Sequence, residues 1–278
     1  MTTAWDSGVP PVYPRITILG WLRVVLRALG LFFVVFGGLL ILLVVRLFER
    51  PIYGLHRPAT PHITRTVCRT SLILIGLRHD VSGAPLMGHG AVVANHSSWL
   101  DIFVLNAAKR IYFVSKSEVA AWPGIGWLAR ATGTVFIERN PARAREQTAV
   151  FQQRLLAGHK LLFFPEGTST DGLQVLPFKT TLFQSFLASD LRDDIHVQPV
   201  SLTYHAPPGA DARFYGWWGD MSFGVHLLQS LAPARQGRVE VTYHAPLRVA
   251  EYTDRKALAL ACENAVRAGL EAHLKAVK

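Results

Sequence analysis

The sequence predicts an α/β fold in which a mostly buried central sheet is flanked by helices and preceded by an N-terminal membrane-anchoring helical segment. Three observations carry that expectation. Beyond residue 78, short β-rich runs alternate with helical stretches to the end of the chain. Ahead of them, residues 28–45 form an apolar run that contains no charge. Hydrophobic residues make up 50% of the 278 positions, which is enough for a large buried core.

The anchor comes first. Residues 16–48 are strongly apolar, and the unbroken part lies between Arg27 and Arg46. As a helix that part spans ~27 Å, close to the hydrocarbon thickness of a bilayer. It begins late, runs long and is followed by RLFERP rather than a small-residue cleavage site, unlike a signal peptide. A buried core helix is the alternative, but arginine flanks and uniform hydrophobicity suit lipid better. Arg46, Arg50, Arg57 and Arg65 follow the segment while Arg15, Arg23 and Arg27 precede or enter it. The positive-inside rule then puts the C-terminal bulk in the cytoplasm, at an inner (plasma) membrane, with a monotopic arrangement as the alternative. Residues 61–77 place Arg65 and Arg69 one turn apart with apolar Ile63, Val67 and residues 73–75, which reads as an interfacial or amphipathic surface helix. Two regions follow: membrane-associated helices over 1–77 and an α/β domain over 78–278.

In the second region the expected strands are 91–95, 111–115, 134–139, 160–165, 196–204 and 238–244, with helices over 99–108, 141–157, 178–190, 222–231 and 253–275. Such alternation argues a largely buried sheet whose site lies beyond strand ends. Pro199, inside an apolar run, implies an edge, a bulge or a strand start.

Charge and cysteine usage narrow the class. A net charge of +10 with a positive mean hydropathy points to an anionic lipid surface. The basic residues are dispersed among apolar segments and no nucleic-acid-binding signature is present, so a nucleic-acid partner is not expected. Cys68 and Cys262 lie far apart with no CxxC and no His-rich tract, so neither a disulfide nor a metal site is expected.

Polar motifs follow the apolar runs. NHSSWLD, residues 95–101, holds His96 and Asp101 five positions apart. On one regular helix that spacing turns ~500°, so the side chains meet only if the helix begins after His96. Ser98 as N-cap would supply that start and let the Asp101 carboxylate reach back. His96 would then have one ring nitrogen held and the other free, the arrangement a general base needs. The same residues also read as a plain capping box. FPEGTSTDG, residues 164–172, offers Glu166 and backbone N–H groups at the mouth of the same sheet. Arg139 ends the GTVFIER run, and Lys116 in VSKSE is another candidate anion ligand. Trp217 and Trp218 mark either a lipid-interface contact or core.

Taken in order, NHSSWLD, FIER, EGT and VQPVSLTY resemble the glycerolipid acyltransferase family that includes 1-acylglycerol-3-phosphate acyltransferases. The resemblance runs from about residue 80 to 205 and makes 78–278 an acyltransferase domain. It implies that His96, oriented by Asp101, deprotonates a lysolipid hydroxyl for direct attack on an acyl thioester. It assigns Glu166, Gly167 and Thr168 to acceptor binding, and Lys116 and Arg139 to the acceptor's anionic head or to the donor. No cofactor is implied, with acyl-CoA or acyl-carrier protein as co-substrate and membrane lipids as partners. Members acting on lysophosphatidic acid carry an Arg after EGT, whereas this chain has Ser169 and continues Thr170-Asp171-Gly172. With VLPFKTTLF lacking a glycine two residues after the Lys, that looks more like lyso-ornithine lipid O-acyltransferases. Two other functions remain open at this point. One is a membrane-anchored serine hydrolase using Ser97 or Ser98, although the chain lacks a GxSxG elbow. The other is a non-catalytic lipid-binding scaffold.

Overall fold

The computed structural model describes residues 5–138, 144–187 and 192–275. Its first element, α1 (Ile18–Tyr53), is longer than its uncharged part. Thr17 starts it by accepting the Gly20 N–H at 3.1 Å, and Gly54, at φ 58°, ends it. Arg23, Arg27 and Arg46 inside the helix find acceptors beside it. Arg27 donates to the Leu231 and Pro233 carbonyls, both at 2.7 Å, and Arg46 pairs with Glu49 at 3.1 Å. Pro51 stands in the last turn, where its missing N–H leaves the Leu47 carbonyl without a ladder bond, and the helix ends at Gly54, three residues later.

The second helix, α2 (Thr60–Ile75), starts on Pro61 and ends at Gly76 in the left-handed conformation. Its cap comes from α1. The buried Glu49 carboxylate accepts the N–H groups of Ala59 and Thr60 and the Thr60 hydroxyl at 2.7–3.1 Å. The helices close on each other at Gly38, where a Cβ would lie 2.2 Å from a Val67 methyl. Gly38→Val is therefore expected to push the pair apart and cost ~1–3 kcal/mol, read as a lower Tm in detergent. Val24 of α1 joins the core, but much of the helix is bare: only 11% of its most apolar window is buried, at a mean hydropathy of 3.0.

The sheet comprises β1 (Arg78–Ser82), β2 (Gly90–Ala94), β3 (Tyr112–Lys116), β4 (Val135–Ile137), β5 (Leu161–Phe163), β6 (His196–His205), β7 (Arg238–Tyr243) and β8 (Leu247–Arg248). The order is β1-β7-β6-β2-β5-β3-β4, with β8 also on β6. Strands β2 to β6 are parallel, and β7 and β8 run antiparallel to β6. Helices α3 (Asp101–Ala108), α4 (Ile125–Thr132), α5 (Ala144–Leu156), α6 (Gln184–Leu187), α7 (Phe223–Leu231) and α8 (Arg255–Lys275) complete the layers. Period-two alternation along β2 divides the core. Val92 and Ala94 pack with Leu72 and Ile75 of α2 and Val104 of α3, whereas Ala91 and Val93 face Phe151 of α5 and Val266 of α8. The cysteines fall on opposite faces, Cys68 in the first core and Cys262 in the second.

All six expected strands form, within a residue or two at their ends. Two strands and one helix were not legible in the sequence. β1 reads RHDVS, a half-exposed edge strand without an apolar run. β8 has two residues, and α4 is a short amphipathic turn behind a Pro-Gly pair. The helix expected over 178–190 shrinks to Gln184–Leu187, because the preceding chain is held elsewhere: Lys179 N–H bonds the Pro165 carbonyl at 2.9 Å. Residues 188–190 of that expectation, and 141–143 of the one before it, lie outside the described residues. Of the three settings expected for Pro199 the bulge is the one found: residues 198–199 of β6 face the three residues 244–246 between β7 and β8. Pro199 pairs with Val93 inside the sheet, where the other neighbour of β6 changes from β8 to β7, so its missing N–H leaves no ladder position empty.

Candidate active site

His96 stands just past the carboxyl end of β2, where the chain leaves the sheet before α3 begins. The preceding Asn95 locks that exit. Its side chain donates to the Leu202 carbonyl at 2.9 Å and accepts the Leu202 N–H at 2.8 Å, tying β2 to β6. Sequence reading missed Asn95, since nothing local shows that its carboxamide bridges two strands.

The helix start differs from the expected one. Ser98 does not cap α3; its hydroxyl accepts the Leu100 N–H at 3.3 Å, and the helix begins at Asp101. The carboxylate itself closes the turn. Asp101 Oδ2 accepts from His96 Nδ1 at 2.7 Å, from the Ser97 N–H at 2.8 Å and from the Ser98 N–H at 3.1 Å. Its other oxygen accepts the Tyr204 hydroxyl at 2.7 Å. Asp101 is fully buried, and burial beside its charge holds the Tyr204 phenol well above the usual tyrosine range. The bond to Asp101 places the proton of His96 on Nδ1, so Nε2 presents its lone pair. The ring stacks on Phe164, centroids 4.1 Å apart and planes at 11°, with 22% of its side chain open.

Glu166 supports the same residue from β5. One carboxylate oxygen accepts the His96 N–H and the other the Leu176 N–H, both at 2.7 Å. It is 2% exposed, and burial, opposed by those two N–H donors, raises it to about 8. Glu166 thus faces inward against backbone rather than outward. Beyond it the turn is open-handed: Gly167 has φ +72°, and a Cβ there would lie 2.6 Å from Lys179 Nζ. Thr168 Oγ1 accepts the Trp5 N–H at 3.4 Å, bringing the N-terminal segment onto this turn. The Thr170 N–H bonds the His96 carbonyl at 2.9 Å and the Trp217 N–H bonds the Ser97 carbonyl at 2.8 Å. Trp218 is 2% exposed and belongs to the core.

The structure therefore gathers His96, Asp101, Glu166, Gly167 and Thr168. Lys116, exposed, ends β3 at the same edge of the sheet. Arg139 lies outside the described residues. Lys179 was missed as a site residue, because its approach to Gly167 depends on the irregular path of 178–183. Ser97 and Ser98 are both fully buried, so neither hydroxyl is presented as a nucleophile.

Comparison with known proteins bears on this arrangement. A family model described as "Acyltransferase" matches residues 79–203. A lyso-ornithine lipid O-acyltransferase of Rhodobacter capsulatus is 56% identical over 266 residues, covering 96% of each chain. One from Brucella abortus is 41% identical, covering 72% of this chain and 76% of its own. A 1-acyl-sn-glycerol-3-phosphate acyltransferase of Neisseria gonorrhoeae is 33% identical, covering 66% and 71%. Among solved structures, the 1-acyl-sn-glycerophosphate acyltransferase PlsC of Thermotoga maritima superposes with a TM-score of 0.63 at 22% identity. It covers 92% of this chain and 98% of its own, a likeness of fold.

Proposed function

This chain belongs to the acyltransferase family, and from that premise we propose that it esterifies the hydroxyl of lyso-ornithine lipid with a fatty acyl group from acyl-CoA or acyl-carrier protein. The observation that carries the chemistry is the 2.7 Å bond from His96 Nδ1 to Asp101, which leaves Nε2 as a base at the carboxyl end of the sheet. Nε2 takes the acceptor's hydroxyl proton as the oxygen attacks the thioester carbonyl, and the buried carboxylate stabilises the imidazolium. The tetrahedral intermediate collapses with loss of the thiolate, to which the imidazolium returns the proton. No acyl-enzyme forms. Asp101 and Glu166 act through His96: the first orients its ring, the second its backbone.

Gly167 and Thr168 line the acceptor side of that base, and Lys116 and Arg139 take anionic groups of the acceptor head or the donor. The choice of acceptor rests on two lyso-ornithine lipid O-acyltransferases that are 56% and 41% identical to this chain, and on Ser169 and Asp171, which are no phosphate clamp. An ornithine head carries an ammonium and a carboxylate instead. The assay offers palmitoyl-CoA or acyl-carrier protein with either lyso-ornithine lipid or lysophosphatidic acid. Lyso-ornithine lipid is expected to be the better acceptor, and strong turnover of lysophosphatidic acid alone would sink the assignment.

Tyr204→Phe gives a narrower test. Loss of the hydroxyl removes the donor that fixes the second oxygen of Asp101, and so loosens the carboxylate that orients the His96 ring. About a tenfold loss of kcat is expected, with ~1 kcal/mol of stability.

For the membrane, we propose a monotopic protein on the cytoplasmic face of the inner membrane. Arg27 near one end of α1 bonds the carbonyls of Leu231, the last residue of α7, and Pro233, and Arg57, just past the other end, bonds the Ala131 carbonyl of α4 at 2.8 Å. With both ends tied to one folded body, α1 lies in the interface with its bare apolar face in lipid. Added protease should then reach tags at both termini from the same side of sealed vesicles; protection of one tag only would contradict this topology.

A further inference from the structure

A cavity of about 550 Å³ opens where the N-terminus of α1 meets the chain after β6 and the end of α7. Its walls are apolar, with Ile16, Pro207 and Phe214 among them, and every charged residue on it is an arginine: Arg15, Arg23 and Arg235. No carboxylate lines it, and Asp211, next along the chain from its wall, is spent on Arg213 at 2.8 and 3.1 Å. Only the Arg23 Nε is committed to the fold, donating to the Ala232 carbonyl at 2.9 Å, while Arg15 and Arg235 are exposed side chains. Three arginines around one apolar cavity that no acid lines make a setting suited to an anion. The adjoining turns of α1 carry Ile18, Leu19 and Leu22, exposed by 90%, 66% and 55%.

We propose that this cavity is a second lipid site, separate from the His96 crevice, which takes the phosphate of an anionic phospholipid while that lipid's acyl chains lie along the bare face of α1. The arginines supply forked donors to the phosphate oxygens, and the continuity of the cavity with exposed apolar helix favours a bilayer lipid over a soluble phosphate. Occupancy would hold the head of α1 at the phosphate level of the membrane.

The test uses the full chain in non-ionic detergent and reads Tm during titration with phosphatidylglycerol, phosphatidylcholine, inorganic phosphate or CoA. Phosphatidylglycerol is expected to raise Tm saturably and phosphatidylcholine to have little effect. Arg15→Gln with Arg235→Gln should need at least tenfold more phosphatidylglycerol for half the shift. Arg78→Gln with Arg248→Gln, which removes the same charge elsewhere, should respond as the parent does. An unshifted parent, an unaffected Arg15/Arg235 double variant or an equal loss in the control pair would overturn the site. An equal shift from inorganic phosphate or CoA would overturn its assignment to lipid. Because the readout is lipid binding, its outcome is independent of which acceptor the enzyme esterifies.

Discussion

His96→Ala is expected to lower kcat by about 10²–10⁴-fold while the chain stays folded and bound to membranes. The ring makes two contacts, its bond to Asp101 and its stack on Phe164, and it is partly open to solvent, so alanine costs little packing. Asp101→Asn separates chemistry from fold still more sharply. A carboxamide can keep its oxygen towards His96, Ser97 and Ser98 and turn its NH2 towards the Tyr204 oxygen, so the turn before α3 survives. What it lacks is the charge that stabilises an imidazolium, and a rate loss on the order of 10³–10⁴ is expected. Steady-state acyl transfer beside a circular-dichroism melt checks both variants. Near-normal turnover of His96→Ala would remove His96 as the base and that of Asp101→Asn would remove the need for its charge, whereas an unfolded His96→Ala chain would make the pair structural and favour the scaffold reading.

Glu166→Gln should injure fold and rate together. Each carboxylate oxygen meets a buried N–H donor at 2.7 Å, and even a protonated carboxyl offers an acceptor to both. A carboxamide nitrogen does not. One N–H, of His96 or Leu176, is then left facing another donor, at a cost of ~1–3 kcal/mol. If it is that of His96, the base itself shifts and kcat falls at least tenfold. The pH dependence carries a second signature. Burial raises Glu166 from 4.5 to about 8, so the folded chain keeps a proton that the unfolded chain releases in between. The unfolded state binds fewer protons there, and stability falls as pH rises. The contribution of this group is complete below about 4.5 and lost through about 8. Melts taken at pH 5 and pH 8 should therefore show the parent losing more Tm than Glu166→Gln does, and a constant gap between the two curves would refute the inward, protonatable role.

Much of this site was readable before any fold was known. Spacing allows His96 and Asp101 to meet if a helix starts between them, the resemblance of the ordered motifs makes them the expected pair, and EGT after an apolar strand places polar groups at the same sheet edge. The agent of the helix start was not readable: Ser98 and Asp101 are both good capping residues, and only the packed turn decides that the carboxylate does the work. The inward aim of Glu166 was equally hidden. From local sequence a Glu-Gly turn looks outward; its two N–H partners, 70 positions upstream and 10 downstream, come together only when β2 and β5 pair.

By itself, the sequence determined the reaction class and the layered α/β plan, because hydrophobic period and motif order are local properties that survive without a partner. It also determined that α1 is apolar enough to meet lipid. Tertiary structure alone shows that Arg27 and Arg57 bond distant carbonyls that hold both ends of α1 on one body, and no hydropathy window contains that information. Likewise only the fold set Tyr204 against Asp101, 103 positions away, since a buried carboxylate collects its donors from whichever strands the sheet brings beside it.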